Sequence, residues 1–66
     1  MQILVNGEQR EVGPETTVAG LLEQLELDPR YLAVELNKQL VPRSDHSDKR
    51  IEAGDQLEVV TLVGGG

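Results

Sequence analysis

Three consecutive glycines at the end of the chain are the residues most able to do unusual chemistry. Gly64, Gly65 and Gly66 follow a strand-like apolar segment, and the printed sequence stops at Gly66. Three extended residues span at most about 10 Å, and without Cβ atoms they fit a channel too narrow for other residues. We therefore expect residues 64–66 to form a flexible tail that brings the carboxylate of Gly66 to a reactive centre in a partner.

The carboxylate of Gly66 is suited to carrying sulfur. A carboxylate is a poor acyl donor, but joining it to AMP creates a good leaving group. A sulfur nucleophile can then attack the carbonyl carbon, and the product is a thiocarboxylate. This chemistry requires no cysteine in the carrier, and the chain contains none. The opposing interpretation is a frayed terminus without a function, which is the usual state of terminal glycines.

Other catalytic arrangements are missing from the sequence. It lacks Cys, a Ser/His/Asp set on a supporting scaffold, and a glycine-rich phosphate loop between a strand and a helix. Asp45, His46 and Asp48 lie close together in a predicted loop, but we interpret them as a solvated charge cluster rather than a metal or acid/base site. We therefore expect that the chain is not an enzyme and that it binds no metal or other cofactor.

The balance of charge narrows the class of partner. Twelve acidic residues against six basic ones give a formal charge of −6, which disfavours the phosphates of nucleic acids and anionic membrane surfaces. The first residues indicate neither a signal peptide nor a membrane-spanning helix. We expect a cytoplasmic protein that binds other proteins, and neither nucleic acid nor membrane.

The order of apolar and turn-forming residues predicts an α+β domain with the element order ββαβββ. Asn6-Gly7 suits a two-residue hairpin turn, and the apolar residues that begin at Val18 repeat at i, i+3, i+4 and i+7, as on one face of a helix. Thr17 is placed to cap that helix, and Gly20 within it suggests a close approach of the helix to the sheet. The predicted strands are residues 1–5, 8–12, 32–36, 40–41 and 56–63.

These elements predict one mixed sheet with the helix on one face and the last strand beside the first, in the middle of the sheet. The domain comprises residues 1–63, and the tail follows it. The expected core joins two sets of aliphatic residues. They are Val18, Leu21, Leu22 and Leu25 on the helix, and Ile3, Val5, Val34, Leu36, Leu40, Ile51, Leu57 and Val59 on the sheet.

The other face of the sheet is left open and is predicted to dock the partners. Strand alternation places apolar side chains there, beside Glu35 and Glu58. Exposed apolar residues on a strand that leads into the tail indicate a docking surface. Scattered surface residues of this kind are also normal, so alternation alone leaves both interpretations open. The predicted docking residues are Leu4, Val60 and Leu62 on this face, together with Val63, which leads into the tail.

Across its full length the chain resembles the ThiS family of sulfur carriers, which belongs to the β-grasp or ubiquitin-like group. The resemblance rests on six stretches taken together, because none is decisive alone. The length is typical of the family, and a third terminal glycine is compatible with its di-glycine pattern. The stretches are MQILVNG (residues 1–7), TVAGLL (17–22), AVELN (33–37), LVPR (40–43), GDQLEV (54–59) and VGGG (63–66).

The resemblance implies that a ThiF-like adenylating enzyme uses MgATP to activate Gly66 and that sulfur-relay proteins supply the sulfur. A ThiG-like thiazole synthase then takes the sulfur to build the thiazole of thiamin. ATP and the metal belong to the partner enzyme. Three alternatives stay open. They are the small subunit of molybdopterin synthase, whose chains tend to be longer and richer in aromatic residues, a ubiquitin-like modifier of lysines, and a binding module with an inert tail.

Overall fold

Within residues 1–62, which the computed structural model describes, the chain forms five strands, one α-helix and two short 3-10 turns. The predicted order ββαβββ is confirmed. Val63 and the predicted tail, residues 64–66, lie outside the described residues. The strands are β1 Gln2–Val5, β2 Glu8–Glu11, β3 Leu32–Leu36, β4 Gln39–Val41 and β5 Gln56–Thr61; the helix is α1 Val18–Gln24, and the 3-10 turns span Pro29–Tyr31 and Arg43–Asp45.

The last strand lies in the centre of the sheet, as predicted. The strand order is β2-β1-β5-β3-β4. β5 runs parallel to β1 and antiparallel to β3, so both of its edges are paired. β1 pairs only with Gln56 and Leu57, at the start of β5, whereas pairing with β3 continues as far as Thr61.

Two tight turns of the same type close the two hairpins. Asn6 and Gly7 have φ angles of 51° and 83°, and Asn37 and Lys38 have φ angles of 51° and 70°. Both residues of each turn are therefore left-handed, which matches the twist of the flanking strands. Asparagine and glycine tolerate this region, whereas the Cβ of Lys38 makes it costly.

We expect Lys38→Gly to raise the free energy of unfolding by about 0.5–1 kcal/mol, because relief of the left-handed strain outweighs the added freedom of the unfolded chain. Chemical denaturation measures this change. Lys38→Ala is the control, since it removes the charged side chain but keeps the Cβ, and it should not stabilise the fold. If Lys38→Ala stabilises the chain as much as Lys38→Gly, the side chain and not the backbone is the cause.

The helix begins where predicted, at a cap formed by Thr17. The Thr17 hydroxyl accepts a hydrogen bond from the Gly20 N–H at 3.1 Å. The N–H groups of the two residues after Thr17 also have partners. Val18 donates to the Lys49 carbonyl oxygen and Ala19 to that of His46, each at 2.9 Å. The interpretation of Gly20 as a close approach to the sheet is wrong, because a Cβ built there would meet the side chains of residues 16 and 17 and not a strand.

The core lies between the helix and one face of the sheet and contains most of the predicted residues. Leu25 and Val59 are only partly buried against it. The prediction for Leu40 is wrong: its side chain is 65% exposed, and Val41 is buried instead. Val41 pairs with buried Val34, and opposed residues share a face, so β4 turns Leu40 to the open face. The buried residues are Ile3, Val5, Val12, Val18, Leu21, Leu22, Leu32, Val34, Leu36, Val41, Ile51 and Leu57.

Candidate functional site

The end of β5 is the point from which the chain continues to the predicted tail. Pairing with β3 extends past the last strand residue, because the Leu62 N–H donates to the Tyr31 carbonyl oxygen at 2.8 Å. The backbone is thus tied to the sheet as far as Leu62. The roles predicted for Val63 and for Gly64, Gly65 and Gly66 fall on residues outside the described range and stay predictions.

The side chain of Asn6, which follows β1, forms hydrogen bonds with the backbone of β5. Its Oδ1 accepts from the Val59 N–H at 2.8 Å, and its Nδ2 donates to the Val59 carbonyl oxygen at 3.3 Å. The Asn6 backbone N–H donates to Leu57 at 2.9 Å. The carboxamide therefore makes the bonds that one more strand residue would make, although the chain is already turning away. We call this side-chain contact the Asn6 clamp.

A second asparagine fastens the beginning of the same strand. The Asn37 N–H donates to the Gln56 carbonyl oxygen at 2.7 Å, and its Oδ1 accepts from the Gln56 N–H at 3.0 Å. Its Nδ2 reaches Asp55 Oδ1 at 3.0 Å. In the sequence Asn6 indicates only a hairpin turn, and neither asparagine was predicted to bind β5. Asparagine at the first position of both hairpin turns was the signal that could have revealed this second role.

Replacing Asn6 with glycine should loosen the end of β5. Asn6→Gly keeps the φ of 51° accessible and removes the two side-chain bonds to Val59. We expect the free energy of unfolding to fall by about 1–2 kcal/mol, and the Val59 amide should exchange its hydrogen faster than in the parent.

Asn37→Gly is the matched control for the Asn6 clamp. It removes side-chain bonds at the other end of β5, to Gln56 and Asp55, and should lower the global stability by a similar amount. Measured at equal global stability, Val59 should exchange faster only in Asn6→Gly. Equal protection of Val59 in the two variants would show that the clamp has no local effect.

Two of the predicted docking residues lie on the open face of the sheet, near the C-terminal end of β5, which we call the exit end. Val60 and Leu62 are 51% and 53% exposed, and Val60 lies opposite Ala33 of β3. We call Val60 and Leu62 the exit patch. Leu4 is also on this face, but it is half-buried and level with Gln56. Four residues of strand, about 13 Å, separate that level from Val60. The structure therefore does not bring Leu4 together with the exit patch.

An ion pair and an aromatic ring lie beside the end of β5. Asp28 Oδ2 accepts from Arg30 Nη2 at 2.7 Å, and the Arg30 guanidinium lies 5.3 Å from the centre of the Tyr31 ring. The side-chain hydrogen bond from Arg30 holds the pKa of the Asp28 carboxyl below its usual range. This ion pair is exposed and adds little to stability, but it fixes the segment that accepts the last hydrogen bond of β5.

The solvated cluster predicted around His46 is a wrong interpretation. The His46 side chain is buried, with 5% exposure, and its Nε2 lies 3.1 Å from the Val41 carbonyl oxygen. The carbonyl of the same residue caps the helix, so packing of this loop onto α1 buries the ring. Among residues 1–62, no group of three or more His, Asp or Glu side chains is arranged to hold a metal ion.

The helices in the described part of the chain are too short or too polar to cross a membrane. The arrangement has two chemical capacities. It can hold β5 in place, through backbone pairing with β3 along the strand, pairing with β1 at its start, and hydrogen bonds from the side chains of Asn6 and Asn37. It can also present an apolar surface beside the exit.

Comparison with known proteins agrees with this geometry. The model of the ThiS family matches residues 3–66. The sulfur carrier protein ThiS of Escherichia coli K12 is 35% identical over all 66 residues, and the match covers 100% of both chains. The crystal structure of a thiamine biosynthesis protein, ThiS, from Geobacter metallireducens superposes with a TM-score of 0.87 at 30% identity, again over 100% of both chains.

A longer relative matches as well. A thiazole synthase of Paramagnetospirillum magneticum is 41% identical over 66 residues. The alignment covers 100% of this chain but only 20% of that protein. The chain therefore spans about a fifth of the length of this relative, whose remaining four fifths have no counterpart here.

Proposed function

Because this chain belongs to the ThiS family, we propose that it carries sulfur for the synthesis of the thiazole of thiamin. The observation that carries the proposal is the path of β5. This strand is central, pairs with β3 along its length and with β1 at its start, and accepts and donates hydrogen bonds with two asparagine side chains. Three glycines follow it in the sequence, after Leu62 and Val63. The family match continues through residue 66, so the glycines are part of the similarity.

The proposed cycle uses the Gly66 carboxylate as its working group. A carboxylate oxygen attacks the α-phosphorus of ATP on a ThiF-like adenylating enzyme, and pyrophosphate leaves. Hydrosulfide, which the sulfur-relay proteins supply, then adds to the acyl carbon. AMP departs with the electrons of the bond that breaks, and a thiocarboxylate remains on Gly66. The cycle is proposed to run in the cytoplasm, where ATP is available.

The chain acts in this cycle as a co-substrate and not as an enzyme. MgATP is bound by the adenylating enzyme, and this chain supplies the terminus and the surface that positions it. Rigid pairing of β5 as far as Leu62 supports this division of labour, because a fixed strand limits where the short tail can reach. Gly65 and Gly64 provide the slim approach, and Val60, Leu62 and Val63 contact the partner.

Thiazole synthase is the proposed acceptor of the sulfur. The relative that is named thiazole synthase contains a segment similar to the whole of this chain, which supports a shared task. A thiamine biosynthesis protein of the same fold and length favours the thiazole branch over molybdopterin synthesis. A ThiG-like enzyme is therefore the second partner, after the adenylating enzyme.

Intact-mass analysis of the chain purified from its native host tests the proposal. A population heavier by the exchange of one oxygen for one sulfur, and lost on hydrolysis, is the expected result. Adding this population to purified thiazole synthase and its other substrates should yield thiazole without further sulfur. A chain that never gains sulfur, even with the adenylating enzyme, ATP and sulfide present, would contradict the carrier role.

A further inference from the structure

Two carboxylates stand directly opposite each other in the middle of the open face. Glu35 of β3 pairs in register with Glu58 of β5, and both side chains are exposed. Like charges at opposed positions of an antiparallel pair destabilise a sheet. Neither carboxylate belongs to an ion pair among the described residues, where the three ion pairs join other groups. The two carboxylates therefore occupy opposed positions without a counter-charge among residues 1–62.

The nearest cationic side chain on this face does not neutralise the pair. Lys38 lines the same shallow groove as Glu58, together with Leu4, but it forms no ion pair with either carboxylate within residues 1–62. It also sits in a turn with a φ of 70°. No cationic side chain among residues 1–62 therefore forms an ion pair with Glu35 or Glu58.

Apolar side chains flank the two carboxylates on both sides. Leu40 of β4 lies opposite Glu35 and is 65% exposed, and Val60 follows Glu58 by one step on the same face. A protein that covers the exit patch also covers this row and removes water from it. Burying two like charges without a counter-charge is strongly unfavourable, so a partner that docks here has to supply a cation.

We propose that Glu35 and Glu58 together receive an arginine or lysine side chain of the protein that docks on the open face. The proposal rests on the proposed function, which makes this face a docking surface. The partner surface has a basic side chain at its centre and apolar residues around it, to match Leu40 and the exit patch. The formal charge of −6 on the chain steers it toward such a surface.

Glutamine substitutions give the proposal an unusual signature, because the same change should stabilise the free chain and weaken the complex. Glu35→Gln and Glu58→Gln should each shift the midpoint of chemical unfolding to higher denaturant. Each should also weaken binding to the purified adenylating enzyme or thiazole synthase of the same organism by about tenfold or more. The double variant should gain less stability than the sum of the two single variants, since one substitution already removes the repulsion.

Glu23→Gln on the exposed side of α1 is the matched control. It changes the net charge by the same amount, and Glu23 forms no ion pair among the described residues. It should move neither the unfolding midpoint nor the affinity. Raising the salt concentration should weaken the parent complex more than the Glu58→Gln complex.

The affinity of Val60→Asp for the partners distinguishes two cases. In one, only the inference about Glu35 and Glu58 is wrong; in the other, the open face does not bind partners at all. If Val60→Asp loses binding while both glutamine variants bind like the parent, the acidic pair has no partner cation and the inference is overturned alone. If Val60→Asp also binds like the parent, the open face does not dock and both ideas fall. Sulfur loading of Gly66, measured by mass, reports the carrier function independently of either result.

Discussion

Chains whose Gly66 ends in an amide are expected to take up no sulfur, and this is the largest effect that the proposed mechanism predicts. The amide has no carboxylate oxygen with which to attack ATP, so adenylation is blocked at its first step. A residue appended after Gly66 leaves a carboxylate but moves it about 3.5 Å beyond its place. Since a misplacement of 1 Å can cost about a hundredfold in rate, the extended chain should load sulfur at least a hundredfold more slowly.

These terminal changes should leave the fold untouched. The buried residues of the described chain run from Ile3 to Leu57, so the free energy of unfolding should stay within about 0.5 kcal/mol of the parent. The measurement is thiocarboxylate formation with the purified adenylating enzyme, ATP and a sulfur source, followed by intact-mass spectrometry. If amidated or extended chains carry sulfur at the parent level, Gly66 is not the working group.

Gly65→Ala extends this test to the shape of the partner's site. The substitution adds one methyl group directly before the working group and changes no charge. A narrow channel would reject the methyl and loading would fall sharply, whereas an open cleft would accept it. The size of the loss therefore measures the width of the channel, and the unchanged stability of the fold serves as its control.

Val60→Asp is expected to weaken binding of both proposed partners by about thirtyfold or more. Val60 is exposed in the exit patch, and a carboxylate there would be buried against an apolar partner surface, which corresponds to a loss of about 2 kcal/mol or more. Leu62→Asp should act in the same way. Titration of the purified partners with each variant measures the affinities, and thermal or chemical unfolding shows whether the fold is retained.

Thr61→Asp is the matched control for Val60→Asp. It introduces the same charge one residue further along β5, but neighbouring strand residues point to opposite faces, so the carboxylate lies on the helix side. Both variants should lose similar strand propensity, and only Val60→Asp should lose binding. If the two variants bind equally well, the exit patch is ordinary surface.

Local features of the sequence determined the elements and their order. Asn6-Gly7 is recognisable as a hairpin turn because two left-handed residues in succession favour asparagine and glycine. The helix is recognisable because Val18, Leu21 and Leu22 repeat with its period, and Thr17 marks its beginning. These signals depend on neighbours within a few positions, so they were readable before any tertiary contact was known. The three glycines at residues 64–66 are likewise visible in the sequence alone, and the role predicted for them stays a prediction.

Contacts between distant residues decided what the local pattern left open. β4 has three residues, which are too few for alternation in the sequence to predict which of them face the core. Its register with β3 decides this, and it exposes Leu40 and buries Val41. His46 is buried because its loop caps a helix that begins nearly thirty residues earlier. No composition rule indicates that burial, since polar loop residues usually face water.

In the candidate site, too, the sequence pattern predicted some features, and contacts between distant residues decided the others. The sequence placed Val60 and Leu62 on the open face correctly, because alternation along a long strand is a local property. It could not reveal that Asn6 grips Val59 across a separation of 53 residues. It also could not reveal that Glu35 meets Glu58, or that Leu4 lies far from the exit, because both facts follow from strand register. Register is set by the packing of the whole sheet against the helix, and only the tertiary structure contains it.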